Sequence, residues 1–273
     1  MNLREIEQSV TLAYDNRELL SQSQYHDAIR DTIEMLDKGR LRVAEKKGND
    51  WIVNQWVKKA ILLYFQIQEI QKMEMGPFEF YDKIPLKKDY EKLQVRVVPP
   101  GVARYGSYLA PGVVLMPGYV NIGAFVDSYS MVDTHATVGS CAQVGKGVHI
   151  AGAARIGGVL EPPQSRPVII EDYAFIGSAV SVMEGVIVRE EAVLGAGVIL
   201  TSSTKIIDVS GSEPKELQGE IPPRSVVIPG SYTKNFPAGK FQVQCALIIG
   251  KRKESTDKKV SLNEALRDFN ISV

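Results

Sequence analysis

The 273-residue chain has only two cysteines, Cys141 and Cys245, three histidines and two tryptophans. Two isolated cysteines make neither a disulfide framework nor a CxxC pair, which fits a reducing compartment. Net charge is also missing, since 32 Lys and Arg balance 32 Asp and Glu. Nothing in the bulk charge therefore points to nucleic acid or an anionic membrane. No apolar run approaches the roughly 20 residues of a membrane span, and the opening MNLREIEQSV is not a basic-then-apolar leader. Together these absences predict a soluble protein of the cytoplasm.

Residues 1–95 read as a helical domain. Leu3, Ile6, Val10, Ala13 and Tyr14 share one helix face; Ala28, Ile29, Ile33 and Leu36 share another, and Gly39 ends that second helix. RLRVAEK alternates like a short strand. The apolar run DWIVNQWVKKAILLYFQIQEI reads as one helix buried against the others, and MGPFEFYDKIPLKKDY breaks the pattern.

From about residue 96 to 209 a period of six takes over. Its aliphatic series runs Val102, Tyr108, Val114, Val120, Val126, Val132, Val138, Val144, Ile150 and Ile156. It breaks at a Pro-rich insertion, about 157–169, and resumes from Ile170 through Ile176, Val182, Val188, Leu194 and Leu200 to Ile206. Helices repeat near 3.6 residues and half-buried strands at 2, so neither explains this spacing. A parallel β-helix of hexapeptide repeats does: three short strands make one 18-residue triangular coil. The fold class is mainly β, and Val114, Val132 and Ile150 are expected to stack in one inward column. Small residues such as Ala136 and Ala142 suit the corners. Gly, Asp or Asn one position after each aliphatic is expected to tolerate unusual corner backbone.

One coil cannot stand alone. Burying a Val or Ile contributes about 1.5–3 kcal/mol, whereas ordering six residues costs roughly 6–12 kcal/mol. Ladder hydrogen bonds and burial between coils must supply the difference. Residues 210–273 read as a C-terminal extension: a polar excursion, the strand-like SVVIPG and FQVQCALIIGK, and a short helix opened by a capping box at Ser261 and Glu264.

A prism of this kind does not name its function. A zinc enzyme would need three ligand histidines, but His26 lies in the helical part and the spacing of His135 and His149 does not suggest a metal site. A purely structural prism would need neither the insertion nor a helical domain, and such insertions are where binding residues gather.

Motifs outside the generic repeat are more specific. VRVVPPG, LMPGYVNIGAFVD, MVDTHATVGSCAQVGKGVHIAG, IGGVLEPPQ, VIIEDYAFIG, VMEGVIVRE, STKI and SLNEALRDF resemble the tetrahydrodipicolinate N-succinyltransferase family over nearly the whole chain. The resemblance implies a left-handed β-helix, a homotrimer with sites between neighbouring prisms, and a place in lysine and diaminopimelate biosynthesis. It implies succinyl transfer from succinyl-CoA, used as co-substrate with no permanently bound cofactor, to the amino group of ring-opened tetrahydrodipicolinate. A related acyltransferase using acetyl-CoA or another amino acceptor, and a non-catalytic binding prism, are the competing readings.

By the same resemblance, Arg96 matches a substrate-binding arginine and Asp133 an aspartate that contacts substrate and takes part in proton transfer. Spacing alone does not separate Asp133 from Asp127. The family carries tryptophan where this chain has His135, which therefore reads as a filler of that aromatic slot. His149 reads as a wall residue. A family glutamate is replaced by Ser181, with Glu184 three positions on. For CoA the resemblance points to Gly177, Ser178, Gly195 and Lys205, with the basic GKRK run (residues 250–253) as a further phosphate contact.

Overall fold

Asn2 begins the first helix by a reciprocal cap. Its side chain accepts from Glu5 N–H at 3.0 Å while Glu5 accepts from Asn2 N–H at 2.9 Å. The computed structural model describes residues 1–252, so the expected capping box at Ser261 and Glu264 lies outside it. Helices α1 (Leu3–Asp15), α2 (Ser23–Asp37) and α3 (Gln55–Ile67) pack around Ile6, Val10, Ile29, Ile33, Ile61 and Leu63. Leu3, expected on that apolar face, is exposed. After α2, Gly39 takes φ +68°. Gly39 N–H bonds Leu36 O and Arg40 N–H bonds Met35 O, closing the orphan carbonyls of the last turn. Among the described residues no helix is long and apolar enough to cross a membrane.

The run expected as one long helix is split. Asp50–Val53 is a strand paired antiparallel with Ala44–Lys47, and helix begins only at Gln55. Asn54 makes the break, its side-chain amide donating to Arg42 O at 2.8 Å. The following stretch is a second hairpin, Gln71–Met75 with Phe78–Asp82, around Gly76.

The prism has three parallel faces. Face I is built on Arg96–Val97, Val114–Leu115, Met131–Val132, His149–Ile150, Phe175–Ile176 and Val193–Leu194. Face II holds Val102–Ala103, Tyr119–Val120, Thr137–Val138, Arg155–Ile156, Ser181–Val182 and Ile199–Leu200. Face III holds Tyr108–Leu109, Phe125–Val126, Gln143–Val144, Ile169–Ile170, Ile187–Val188 and Glu220–Ile221. The polar excursion after Leu200 thus returns to the prism, and the hairpin Ser225–Phe236/Gly239–Lys251 extends face I.

Two expectations about the repeat need correction. The inward series is in phase only from Val120 onward. Before it, Ala103, Leu109 and Leu115 are buried, and Val102, Tyr108 and Val114 point outward. The column is Leu115–Val132–Ile150, with Val114 beside Met131. The cause is a corner of three residues, Met116–Pro117–Gly118, where the neighbouring corners use four. The unusual backbone also lies elsewhere than expected. Positive φ falls three positions after most inward aliphatics, as at Tyr129 (+60°), His135 (+59°), Cys141 (+70°) and Ala153 (+58°). One position after the aliphatic the requirement is close approach: a Cβ on Gly139 would stand 2.2 Å from Gly158 N. At Asn121, Asp127 and Asp133 the side-chain oxygen instead accepts the next N–H, at 2.9, 2.6 and 2.6 Å.

The helical domain covers face III and the edge between faces II and III. Arg42 stacks 3.8 Å over Phe125 and donates to Gln143 at 2.9 Å. Glu171, nearly buried, accepts from Trp51 (2.8 Å), Lys46 (2.9 Å) and Arg189 (3.1 Å); against the effect of burial, the Trp51 N–H and the two cations hold its pKa below the usual carboxylate range. Lys58 of α3 is fully buried and donates to the carbonyl oxygens of Pro162 and Ser165 at 3.2 and 2.8 Å. That ties the insertion to the helical domain through a charge whose burial lowers its pKa.

Two outcomes follow from this packing. Leu115→Ala should destabilise the protein by about 2–5 kcal/mol, while Val114→Ala should cost less than about 1 kcal/mol; urea unfolding of the two variants reads the phase directly. Lys58→Met should keep or raise the unfolding midpoint, because an apolar side chain removes a buried charge. Hydrogen exchange should nevertheless speed up across residues 159–166, since the insertion loses its two anchoring bonds. A large drop in midpoint, or unchanged exchange, would contradict this role.

Candidate active site

With face III covered, the edge between faces III and I, with exposed Tyr129 and Tyr173, stays open, and the edge between faces I and II is clear of the helical domain as well. Its corners are Val98–Gly101, Met116–Gly118, Asp133–Ala136, Ala151–Ala154, Gly177–Val180 and Gly195–Val198, stacked one above another. Rungs of a parallel ladder lie about 4.8 Å apart. Gly177 and Ser178 therefore stand about 10 Å above Asp133 and Gly195 about 14 Å above it, while Arg96 projects from face I about 10 Å below. The structure thus collects Arg96, Asp133, Gly177, Ser178 and Gly195 along one side of the prism.

It does not collect Lys205. That residue follows the last rung of face II, and its ammonium donates to Glu216 at 2.8 Å and lies 4.7 Å over the Tyr232 ring. The bond to Glu216 raises its pKa. Of the GKRK run, Lys251 donates to Pro223 O and Ser225 Oγ at 2.7 and 3.0 Å, and Lys253 lies outside the described residues. The glycines also have a packing role. Gly177 and Gly195 are buried, and a Cβ on Gly177 would come within 2.6 Å of Leu194 O. Their small size permits rung stacking, and Ser178 is the exposed member of the group.

Asp133 is held at one oxygen and open at the other. Oδ1 accepts from Thr134 N–H at 2.6 Å and from its hydroxyl at 3.2 Å. Oδ2 faces His149 Nε2 at 3.8 Å, with both side chains about one-third exposed. His149 rests against the Phe175 ring, with centroids 5.0 Å apart. Burial pushes its pKa below the ordinary histidine value, and Asp133 opposes that shift in part. Burial thus favours the neutral imidazole. From the sequence alone His149 reads as a wall residue. The signal was the 18-residue coil, which places position 149 directly above 131 and beside 133.

The same geometry separates Asp133 from Asp127. Asp127 opens a corner between faces III and I, where its charge acts on Arg42 of the helical domain. Asp133 opens a corner between faces I and II, where His149 faces it instead. His135 is exposed at the left-handed position of that corner, its N–H bonding Pro117 O at 2.6 Å. With Pro100, Pro117, Gly118, Tyr119 and Thr137 it lines a hollow of about 320 Å³ beside the short corner.

A larger cleft, about 660 Å³, lies on the edge between faces II and III, where the insertion meets the prism; Gly157, Glu161, Arg166, Glu184 and Ser202 help line it. Glu184 accepts from Ser202 N–H and hydroxyl at 3.1 and 2.6 Å, which holds its pKa below the ordinary range. Ser181 projects from face II, where its hydroxyl accepts from Arg155 Nε–H at 3.1 Å.

Comparison with known proteins matches both the helical part and the prism. Residues 5–67 match the family model described as tetrahydrodipicolinate N-succinyltransferase N-terminal, and residues 167–202 match the hexapeptide repeat of succinyl-transferase. The 2,3,4,5-tetrahydropyridine-2,6-dicarboxylate N-succinyltransferase of Thioalkalivibrio sulfidiphilus is 54% identical, over 89% of this chain and 90% of its own length. Its namesake from Paraburkholderia phymatum is 50% identical over 97% and 98% respectively. That of Cupriavidus metallidurans is 51% identical over 89% of each chain. A free prism edge carrying Asp133 and a helical domain of matching sequence thus occur in one chain, which belongs to the tetrahydrodipicolinate N-succinyltransferase family.

Proposed function

We propose that this chain transfers the succinyl group of succinyl-CoA to the amino group of ring-opened tetrahydrodipicolinate, in lysine and diaminopimelate biosynthesis in the cytoplasm. The observation that carries the reading is identity near 50% to N-succinyltransferases across almost the whole chain. The free edge of the prism supports it with suitable chemistry.

In the transfer, the amine nitrogen bonds to the thioester carbon, the carbon–sulfur bond breaks, and the amine loses a proton while the departing thiolate gains one. Asp133 stands ready for the amine, since its Oδ2 is free of backbone duties. A carboxylate there orients the ammonium form and accepts the proton as the new bond forms. Arg96, exposed two rungs below, offers a bidentate fork to an acceptor carboxylate. CoA lies along the upper corners near Ser178, above the buried Gly177 and Gly195. Lys205 contributes to its phosphates only if a ligand draws it from Glu216.

The protein acts as a homotrimer in this reading. Face III is occupied by the chain's own helical domain, so faces I and II are left to meet neighbouring prisms, with the cleft between them as the site. Ser181 favours a second reading, a related acyltransferase with a different donor or acceptor, because the matching stretch in the family holds a glutamate.

Thiol release from succinyl-CoA in the presence of tetrahydrodipicolinate tests the reaction. Asp133→Asn should lower kcat by about 10²–10⁴-fold with CoA binding retained; a full rate in that variant would move the proton acceptor elsewhere. Arg96→Ala should raise the acceptor KM about tenfold or more and leave the KM for succinyl-CoA nearly unchanged. An unaltered acceptor KM would remove Arg96 from the site.

A further inference from the structure

Arg155 and Ser181 are stacked on adjacent strands of face II, both pointing outward. Ser181 is only 4% exposed, and its hydroxyl accepts the Nε–H of Arg155 at 3.1 Å. Arg155 itself is exposed. A guanidinium has five N–H donors in a rigid fork, and this bond uses one of them, on the inner side. Three other prism arginines find carboxylates: Arg104 pairs with Asp82, Arg189 with Glu171 and Glu220, and Arg224 with Glu191. Arg166 donates to Gly185 O, and Arg96, the acceptor-binding candidate, has no carboxylate within ion-pair distance among the described residues. Among the described residues no carboxylate lies within ion-pair distance of Arg155.

Its position is as telling as its lack of an anion. The strand below carries Thr137, in register with Arg155, and Thr137 lines the hollow with His135 on the free edge. Arg155 therefore stands about 4.8 Å above that hollow. This level falls between the Asp133 corner and the Gly177–Ser178 corner. A glutamate at position 181 would lie against the guanidinium and neutralise it. A serine supports it as a neutral acceptor and leaves the charge for a ligand.

We propose that Arg155, oriented by Ser181, is a carboxylate-binding subsite on the free wall of the cleft. The inference rests on the succinyl-transfer reading and adds a cation that the reaction needs. That reaction brings together three carboxylates, two on the acceptor and one on the succinyl chain. Arg96 accounts for one, and Lys205 is engaged by Glu216. Arg155 receives another, through the paired Nη donors that suit a planar carboxylate.

The test uses the full chain and the variants Arg155→Gln, Arg155→Lys and Ser181→Ala. Kinetics are measured with succinyl-CoA, with acetyl-CoA as the donor lacking a carboxylate, and with varied acceptor. If the acyl chain supplies the carboxylate, Arg155→Gln should raise the KM for succinyl-CoA about tenfold or more and leave that for acetyl-CoA unchanged. If the acceptor supplies it, the acceptor KM should rise by a similar factor with either donor. In both cases kcat should change less than KM, Arg155→Lys should rescue only in part, and Ser181→Ala should give a smaller shift in the same parameter.

Unchanged KM values for donor and acceptor would overturn the subsite. So would loss of activity in step with loss of oligomer by light scattering, which would assign Arg155 to a carboxylate of a neighbouring copy. Calorimetric titration of succinyl-CoA, acetyl-CoA and tetrahydrodipicolinate into wild type and Arg155→Gln reads the subsite without turnover. An inactive wild type that still binds succinyl-CoA or tetrahydrodipicolinate in an Arg155-dependent way would therefore fault the reaction and keep the subsite. Binding of every ligand that ignores Arg155 would fault the subsite alone.

Discussion

Each rung of the prism orders six residues around one buried aliphatic side chain, and that burial alone does not offset the ordering. Stability must come from the contact of each rung with the next, so the whole wall depends on register. This is why the corners are so constrained. Gly139 and Gly177 have no room for a Cβ because the rung above approaches too closely. Asn121, Asp127 and Asp133 each turn a side-chain oxygen onto the next backbone N–H. Asp133 is thus a corner residue first. Its use in chemistry depends on having a second oxygen left over.

The second constraint is which face of the triangle is covered. Polar side chains almost buried at the domain boundary make that choice. Arg42 meets Gln143, Trp51 meets Glu171, and Lys58 meets the insertion. These contacts commit face III and the neighbouring edge to the helical domain. The edge between faces I and II holds Asp133 with His149, the hollow at His135, and Arg155 held by Ser181. Two aspartates with the same local hydrogen bond acquire different surroundings only because one corner lies near Arg42 and the other does not.

The repeat was legible because a buried aliphatic every six residues has few physical explanations. Its phase near the start was not. The first rungs carry two apolar neighbours each, Val102 with Ala103, Tyr108 with Leu109 and Val114 with Leu115, so spacing accepts either member. Only the three-residue corner at Met116–Gly118 decides for the second. The run from Asp50 to Ile70 misled in a similar way. Strand and helix are both apolar there, and Asn54 separates them through its bond to Arg42 O.

By itself the sequence determined the prism, the helical start and the residue types available for acyl transfer, because those follow from local periodicity and from motifs contiguous in the chain. Tertiary structure decided which face is covered, which glycines serve stacking, and that Lys205 is engaged by Glu216. It also brought Arg155 to Ser181 across the Pro-rich insertion. The physical reason is distance along the chain. The contacts that close face III join residues 101 and 120 positions apart, and no local pattern encodes a docking of that range.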